Sequence, residues 1–566
     1  MQSGYSSGGR FRAKHASRSF SVQRQKVSVE SRGDLARDIP RTASLVIICI
    51  LTVAGGILRF ASLDHLAMRI DEGFTLLYQR QSWGAVLGFE GFYAPHPPLF
   101  FALSKAADLV LREEISARWV AALSGTISIP LLYSVGSRLL NRLTGVLAAT
   151  LLIVAPTHIE FSRDGRMYAP VMMVVLLSYL ALIEYRAEPR VGWAVTYGFS
   201  ISIAVYLDYS AVYALAPQVV LLAMIFFQHG RRATWLAVAS VIALILYAPW
   251  LPQVVDTVKT LDESSESTNR LEALSASWIN IERSISYLLG LSGRGSSPLG
   301  TKNVWEQWPD ARPLMIVFMT AVGFGGLFTM RGKAFAQLVT LLLVFGAPVV
   351  AIIASQISPG YAVRTVQISV MGWCIAAGSC ASWMLLKPWT HHYLRVTGGA
   401  LLLILLMLSG ISLRATMSGA ERYQWRVIAS DLVSSCAPDA PIIVASNAGM
   451  FTDILSVYSG DSIPPERILT VTDGTREGWT GAERWLNRGP TRAELNQGTL
   501  SNYVDQTDPR NDVIWVATRL SSVSVPKALT SLGYDEVIKR PYHGATLSLW
   551  TKLPPEERGV LLARCS

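Results

Sequence analysis

Apolar and polar positions follow one another in long blocks along this chain. Between residue 42 and about residue 413, apolar runs of helix-spanning length recur, separated by short polar connections. A bilayer span needs about 20 such residues. About eleven runs qualify: 43–62, 116–137, 144–161, 168–185, 191–207, 210–228, 233–251, 313–330, 334–354, 363–386 and 396–413. Three longer polar stretches interrupt or follow them: 63–115, 252–312 and 420–566. Within the first, 97–111 is apolar but short, and it reads as a helix lying at the membrane surface. In the last, Pro441–Ser446, Arg467–Thr472, Asp512–Thr518 and Ala545–Lys552 predict strands. Ala448–Tyr458 and Val525–Leu532 predict helices, so 420–566 reads as a soluble α/β domain. The fold class expected is therefore mainly α, a polytopic membrane protein of about eleven transmembrane helices with that domain at its C-terminal end.

Charge gives the expected topology. Alternate connections are basic: Arg138 and Arg142, Arg186 and Arg190, Arg231 and Arg232, Arg331 and Lys333, Lys387 and Arg395. These five loops hold ten basic residues against Glu184 and Glu188, a net +8. Residues 1–41, rich in Ser, Arg and Gly, carry nine basic and three acidic residues and fall on the same side. They read as a disordered cytoplasmic tail, although an Arg/Ser-rich start is also the composition of a transit peptide. By the positive-inside rule the basic side is cytoplasmic, at the plasma (inner) membrane. The loops 63–115 and 252–312 and the domain 420–566 then lie outside the cytoplasm.

Composition supports the membrane reading. Only 16% of residues are charged and 51% are apolar, where a soluble protein carries about a quarter charged. The net charge of +10 over 566 residues is divided between residues 1–41, which carry +6, and short loops rather than gathered in one patch, which speaks against a nucleic-acid partner. Five cysteines are too few for a disulfide scaffold. Cys436 and Cys565, both in the C-terminal region, could pair; sequence alone leaves that open. A Walker loop, a zinc-spaced Cys/His cluster and a G-x-S-x-G elbow are all missing, so nucleotide hydrolysis and serine chemistry are poor fits.

Candidate chemistry sits in the outer connections. Asp71 and Glu72 are adjacent carboxylates just after the first apolar run. They are either solvated loop charges or a general base beside a carboxylate that orients it or holds a metal. His96 precedes Pro97–Pro98, which suits the start of a helix and also leaves an imidazole for an anion. Ser162–Tyr168 carries Arg163, Asp164 and Arg166. Together with Arg118 and Arg364 these arginines stand on the side where the positive-inside rule gives no reason for them. They are either headgroup anchors or ligands of a phosphate at the lipid–water boundary.

In this order, Arg59, Asp71–Glu72, His96–Leu99, Arg118 with Ala121–Gly125, and Pro156 followed by Arg163–Tyr168 resemble the GT-C glycosyltransferases. The branch they resemble is that of the protein O-mannosyltransferases and lipid A aminoarabinose transferases. The likeness is close over 45–185 and loose beyond, and the expected Arg–Tyr pair near Arg364 is replaced by Tyr361–Ala362–Val363–Arg364. The resemblance implies an inverting, membrane-bound glycosyltransferase in cell-envelope biogenesis. Its donor would be a polyprenyl-phosphate sugar and its acceptor a glycan, lipid or protein hydroxyl. It further implies Asp71 as base, Glu72 and Asp164 as supporting carboxylates, with a divalent metal held by Asp71, Glu72 and Asp164 in some relatives. Arg118, Arg163, Arg166, Arg364 and His96 would bind the donor phosphate. The rival class is a polysaccharide or lipid-linked-sugar transporter, which would place its charges near mid-membrane rather than in the outer connections.

Overall fold

The structure is a computed structural model and describes residues 38–90, 96–255, 311–354, 366–387, 391–418, 424–445, 450–464, 467–472, 492–494, 512–519, 524–542 and 545–565. Most of the outer loop 252–312 and the Arg364 segment thus lie outside the described residues.

The apolar runs fold as helices. Leu, Ala, Val and Ile dominate them, and a helix pairs its backbone polar groups within the run itself, as a lipid surround requires. In chain order the helices are α1 (Arg41–Phe60), α2 (Ile70–Gln79), α3 (Leu99–Asp108), α4 (Glu113–Leu139), α5 (Arg142–Val154), α6 (Pro156–Ser162), α7 (Tyr168–Ala187) and α8 (Val191–Leu207). Next come α9 (Gln218–His229), α10 (Thr234–Tyr247), α11 (Ala311–Thr329), α12 (Ala334–Ala354), α13 (Ser369–Leu385) and α14 (His392–Ser418). Among the described residues six helical stretches are long and apolar enough to cross a membrane, or seven counting the bent pair α5–α6. The remaining expected crossings are shorter apolar helices, α8, α11 and α13 among them. Pro156 causes the bend. It opens α6 directly after Ala155, where it removes a backbone donor, and the two helices meet at 64°.

The stretch Ala211–Val255 is too long for one crossing. It turns at Gly230, whose φ of 52° suits a residue without Cβ. The turn packs beside the end of α7, where the Tyr185 hydroxyl donates to the Arg232 carbonyl and His229 Nε2 lies 3.0 Å from the Arg186 carbonyl. The far end of α10 returns to the end of α8. There Tyr206 Oη donates to the Leu246 carbonyl (2.8 Å) and Trp250 Nε1 to Tyr209 Oη (2.9 Å). Two expected runs, 210–228 and 233–251, therefore form the two arms of one hairpin.

The bundle has two unlike ends. At one end the basic connections meet: Arg138 pairs with Glu184 (2.8 Å), and Arg142 with Asp38 (3.8 Å). Arg186 stacks on Phe335, next to Lys333, and Ser382 donates to Asn141 (3.2 Å). The other end carries the ends of α1, α6 and α8, the starts of α4 and α7, the segments 61–90 and 96–112 and the C-terminal domain.

That domain holds α15 (Trp425–Val433), α16 (Met450–Ser459), α17 (Ser524–Ser531) and α18 (Pro555–Cys565). Its strands are β1 (Ile442–Ala445), β2 (Ile468–Thr472), β3 (Arg492–Glu494), β4 (Val513–Arg519), β5 (Asp535–Tyr542) and β6 (Ala545–Thr551). They form one sheet in the order β3-β2-β1-β4-β6-β5, with the first four strands parallel and β6 antiparallel to both its neighbours, β4 and β5. Cys436 and Cys565 are joined by a disulfide, their Cα atoms 4.9 Å apart. The domain does not stand clear of the bundle. Met68 and Leu76, from the first outer segment, are buried in its core beside Trp425, Ile428 and Leu455.

Candidate active site

The end of the bundle away from the basic loops gathers the sequence candidates around α2. Arg69 precedes this helix with an extended backbone, and its N–H donates to Glu72 Oε2 (2.8 Å). Placing Asp71 and Glu72 in the first turn suits their negative charge to the helix N-terminus.

The two neighbouring carboxylates meet very different surroundings. Glu72 is buried and accepts a bidentate pair from Arg118, Nε to Oε1 at 2.6 Å and Nη2 to Oε2 at 2.9 Å. The Gly165 N–H adds a further bond to Oε1 at 2.9 Å. A Cβ on Gly165 would sit 3.2 Å from that same oxygen, so glycine is what lets the loop approach the carboxylate. With the Arg69 bond, each oxygen of Glu72 has two donors. The other terminal nitrogen of Arg118, Nη1, donates to the carbonyls of Leu63 (2.7 Å) and Leu66 (2.8 Å). Asp71 is only part-buried, and its carbonyl accepts from Arg166 Nη1 at 3.1 Å.

Arg166 lies beneath it, 3% exposed. It also approaches Thr75 Oγ1 (3.4 Å) and donates through Nη2 to His96 Nε2 (3.1 Å). Burial works to lower its pKa, but Tyr168, Asp71 and Asp164 outweigh it and the net shift is upward. Arg163 differs: burial, with the charge of Arg118 added, pushes it down to about 10. Its Nη2 donates to the Ala61 carbonyl (2.7 Å) and its Nη1 meets the Met417 sulfur (2.9 Å). Asp164 is wholly buried one residue away. Behind His96 stands Asp208, whose Oδ1 is 3.8 Å from His96 Nδ1. Burial works to raise the Asp208 pKa, but the contacts of His96 and Ser210 hold it below the usual carboxylate value.

The geometry thus brings Asp71, Glu72, His96, Arg118, Arg163, Asp164 and Arg166 to one end of the bundle. Arg364 falls outside the described residues. Two of these residues have their hydrogen-bonding groups taken up within the protein. Arg118, expected on the donor phosphate, is instead occupied by Glu72 and two carbonyls. Glu72, expected as a metal ligand, has both oxygens filled by N–H donors. Among the described residues no group of three or more His, Cys, Asp or Glu side chains is placed to hold a metal ion. No step below runs through a metal.

Sequence reasoning gave no role to three features. Arg69 pairs with Glu160 at 2.6 Å. Arg59 is wholly buried at the end of α1, bonded to the Gly55 and Leu152 carbonyls and to His158 Nδ1 (2.8 Å). Asp208 is the third, and it had a readable signal: it is the single acid between Glu188 and Asp256.

Residues 95–252 match the family described as dolichyl-phosphate-mannose-protein mannosyltransferase. The crystal structure of ArnT from Cupriavidus metallidurans in the apo state is similar over 90% of this chain and 98% of that chain, at 14% identity and a TM-score of 0.53. The same protein bound to undecaprenyl phosphate gives the same figures. The Archaeoglobus fulgidus oligosaccharyltransferase in the apo form aligns over 89% of this chain and 75% of that one, at 11% identity and a TM-score of 0.47. Curated proteins give no match by sequence. The chain is a multi-pass membrane protein with the GT-C fold in the form seen in ArnT, and it carries the mannosyltransferase family pattern in its first half. The fold class read from the sequence is met, and the mannosyltransferase family model matches residues 95–252 of the stretch whose motifs suggested the resemblance.

Proposed function

We propose that the chain transfers a sugar from a polyprenyl-phosphate donor to an acceptor hydroxyl, at the end of the bundle away from the basic loops, with Asp71 as general base. One observation carries the assignment of the base. Of two adjacent carboxylates in the first turn of α2, Glu72 is buried with two donors on each oxygen, while Asp71 is part-exposed. Glu72 cannot approach a substrate without abandoning Arg118, and Asp71 can.

In this reading the acceptor oxygen attacks the anomeric carbon from the face opposite the lipid phosphate. The bond from that carbon to the phosphate oxygen breaks, its electron pair leaving on the phosphate, and the acceptor proton passes to Asp71. The anomeric centre inverts. Glu72 and Arg118 are positioning residues that fix the first turn of α2 against the loop 163–167. Arg163 and Arg166, both cationic at neutral pH, put positive potential where the phosphate charge develops, which stabilises the transition state more than the ground state. Two observations support a site outside the cytoplasm: the net +8 on the loops of the opposite end, and the Cys436–Cys565 disulfide, a bond that persists in oxidising compartments. A donor built on a lipid suits that compartment, and ArnT has been crystallised with undecaprenyl phosphate.

The test is sugar transfer by purified protein in lipid nanodiscs, with undecaprenyl-phosphate binding measured separately. Mass spectrometry of envelope glycans and lipids from cells with and without the gene identifies the sugar and acceptor. The reading predicts one missing sugar and a transfer activity that Asp71→Asn lowers about a hundredfold or more. An unchanged envelope and no binding of undecaprenyl phosphate would overturn it.

A further inference from the structure

We infer that Asp208 is a positioning residue of this site, acting through His96 by fixing which ring nitrogen carries the proton. The inference rests on the reading of the α2 end as the active site.

A guanidinium only donates hydrogen bonds. His96 Nε2, 3.1 Å from Arg166 Nη2, must therefore be the acceptor. The ring is then neutral, with its proton on Nδ1. That nitrogen faces Asp208 Oδ1 at 3.8 Å. Asp208 is itself held rigidly: Ser210 Oγ donates to Oδ2 at 2.6 Å and the Ser210 N–H to Oδ1 at 3.3 Å. It is 5% exposed and ends α8, in a stretch with no other acid from residue 189 to 255. A buried carboxylate at this position favours the tautomer with its N–H turned toward it. Arg166 completes the line, reaching from His96 to the Asp71 carbonyl in the first turn of α2.

Without the charge of Asp208, the tautomer with hydrogen on Nε2 becomes accessible. That form points an N–H at a guanidinium N–H, and Arg166 must move away from His96 and from α2. Asp208 would thus affect turnover through the placement of Arg166 and Asp71, without touching the donor.

Two measurements test this. The first needs no substrate: 15N-histidine-labelled protein in lipid bilayers, observed by magic-angle-spinning NMR, with His96 assigned by loss of its signals in His96→Gln. The expected result is a protonated Nδ1 and an unprotonated Nε2, shifting toward protonated Nε2 in Asp208→Asn. Protonated Nε2 in the unsubstituted protein, or a pattern that Asp208→Asn leaves unchanged, overturns the inference. The second is a double-mutant cycle in the transfer assay. Asp208→Asn should lower kcat about tenfold or more, the effect of losing one charge-assisted interaction, with little change in donor KM. In His96→Gln the amide oxygen can accept from Arg166 whatever residue 208 is, so Asp208→Asn should cost nothing further there. Equal losses in both backgrounds would overturn the inference. Should Asp208→Asn misfold, Asp208→Glu keeps the charge and should retain the tautomer; a Glu variant with the ring proton on Nε2 counts against it. A protein that binds no undecaprenyl phosphate but shows the expected tautomers would fail the functional reading alone.

Discussion

Arginine does two different jobs at the two ends of this bundle. At the basic end Arg138 is 62% exposed and meets Glu184 from the surface, and Arg190, 66% exposed, pairs with its neighbour Glu188. At the other end Arg59, Arg118, Arg163 and Arg166 are buried, and their guanidiniums bond to carbonyls, a carboxylate, a sulfur and an imidazole. The first group obeys a rule about membrane insertion, which needs only charge. The second needs shape, because a planar fork satisfies Glu72 with two nitrogens and a pair of carbonyls with the third. A count of charges treats both groups alike, and only their surroundings separate them.

The sharpest way to break this contrast is to remove one arginine from the buried group. Arg118→Met leaves Glu72 buried without its cation, and breaking such a pair costs about 3–5 kcal/mol. We expect a large fall in thermal stability in nanodiscs, with activity lost along with the fold. Arg118→Lys should also be harmful, since an ammonium cannot serve both carboxylate oxygens and two carbonyls at once. An Arg118→Lys variant as stable as the parent would remove shape from the argument and leave only charge.

Next in size is Asp71→Asn. A general base contributes about 10²–10⁴ in rate, so turnover should fall at least a hundredfold while folding and undecaprenyl-phosphate binding persist. Glu72→Gln should differ in kind: loss of stability first, because its partner Arg118 is left buried with a neutral amide. If Asp71→Asn turned over normally, Asp164 would be the carboxylate to examine next.

These two residues also mark how far the sequence could be read. The apolar blocks gave the helices, since a 20-residue run needs no distant partner to declare itself. In the C-terminal domain the same holds for Ile442–Ala445 and Val513–Arg519, apolar strands at the centre of the sheet. The edge strand Asp535–Tyr542 was not foreseen, because its charged residues and Pro541 hide its β character. The site was legible as a set of residues and illegible as a set of pairs. Glu72 and Arg118 are 46 positions apart and Asp208 and His96 are 112 apart, and nothing local says that they meet. The distinction between Asp71 and Glu72 came from the resemblance alone, because physically it depends on which helical face turns toward Gly165.

A smaller effect should follow from loosening the C-terminal domain. Tyr458 Oη accepts the Met68 N–H at 2.6 Å, and Arg80 Nη1 donates to Ser456 Oγ at 3.0 Å, so α16 grips the segment on both sides of Asp71. Tyr458→Phe leaves the Met68 N–H without this acceptor, at a cost of about 1–3 kcal/mol if water does not replace it. We expect slower turnover with donor binding preserved, because the phenol holds the segment that leads into α2 and Asp71. Parallel loss of turnover and binding would mean that the domain supports the whole site rather than its first helix.

The smallest expected effect lies back at the basic end. Arg138→Ala removes the Glu184 partner from a surface pair, and exposed pairs of this kind contribute about 0–1 kcal/mol. Stability and turnover should both stay within the scatter of replicate measurements, and added salt should erase any difference that remains. The rule that placed Arg138 there concerns insertion, so one charge among the +8 of five loops should not invert the topology either, and a reporter fused after Arg231 should keep its side. An Arg138→Ala protein as unstable as Arg118→Met would show that the basic end is built from structural arginines too, and the contrast between the two ends would then rest on exposure alone.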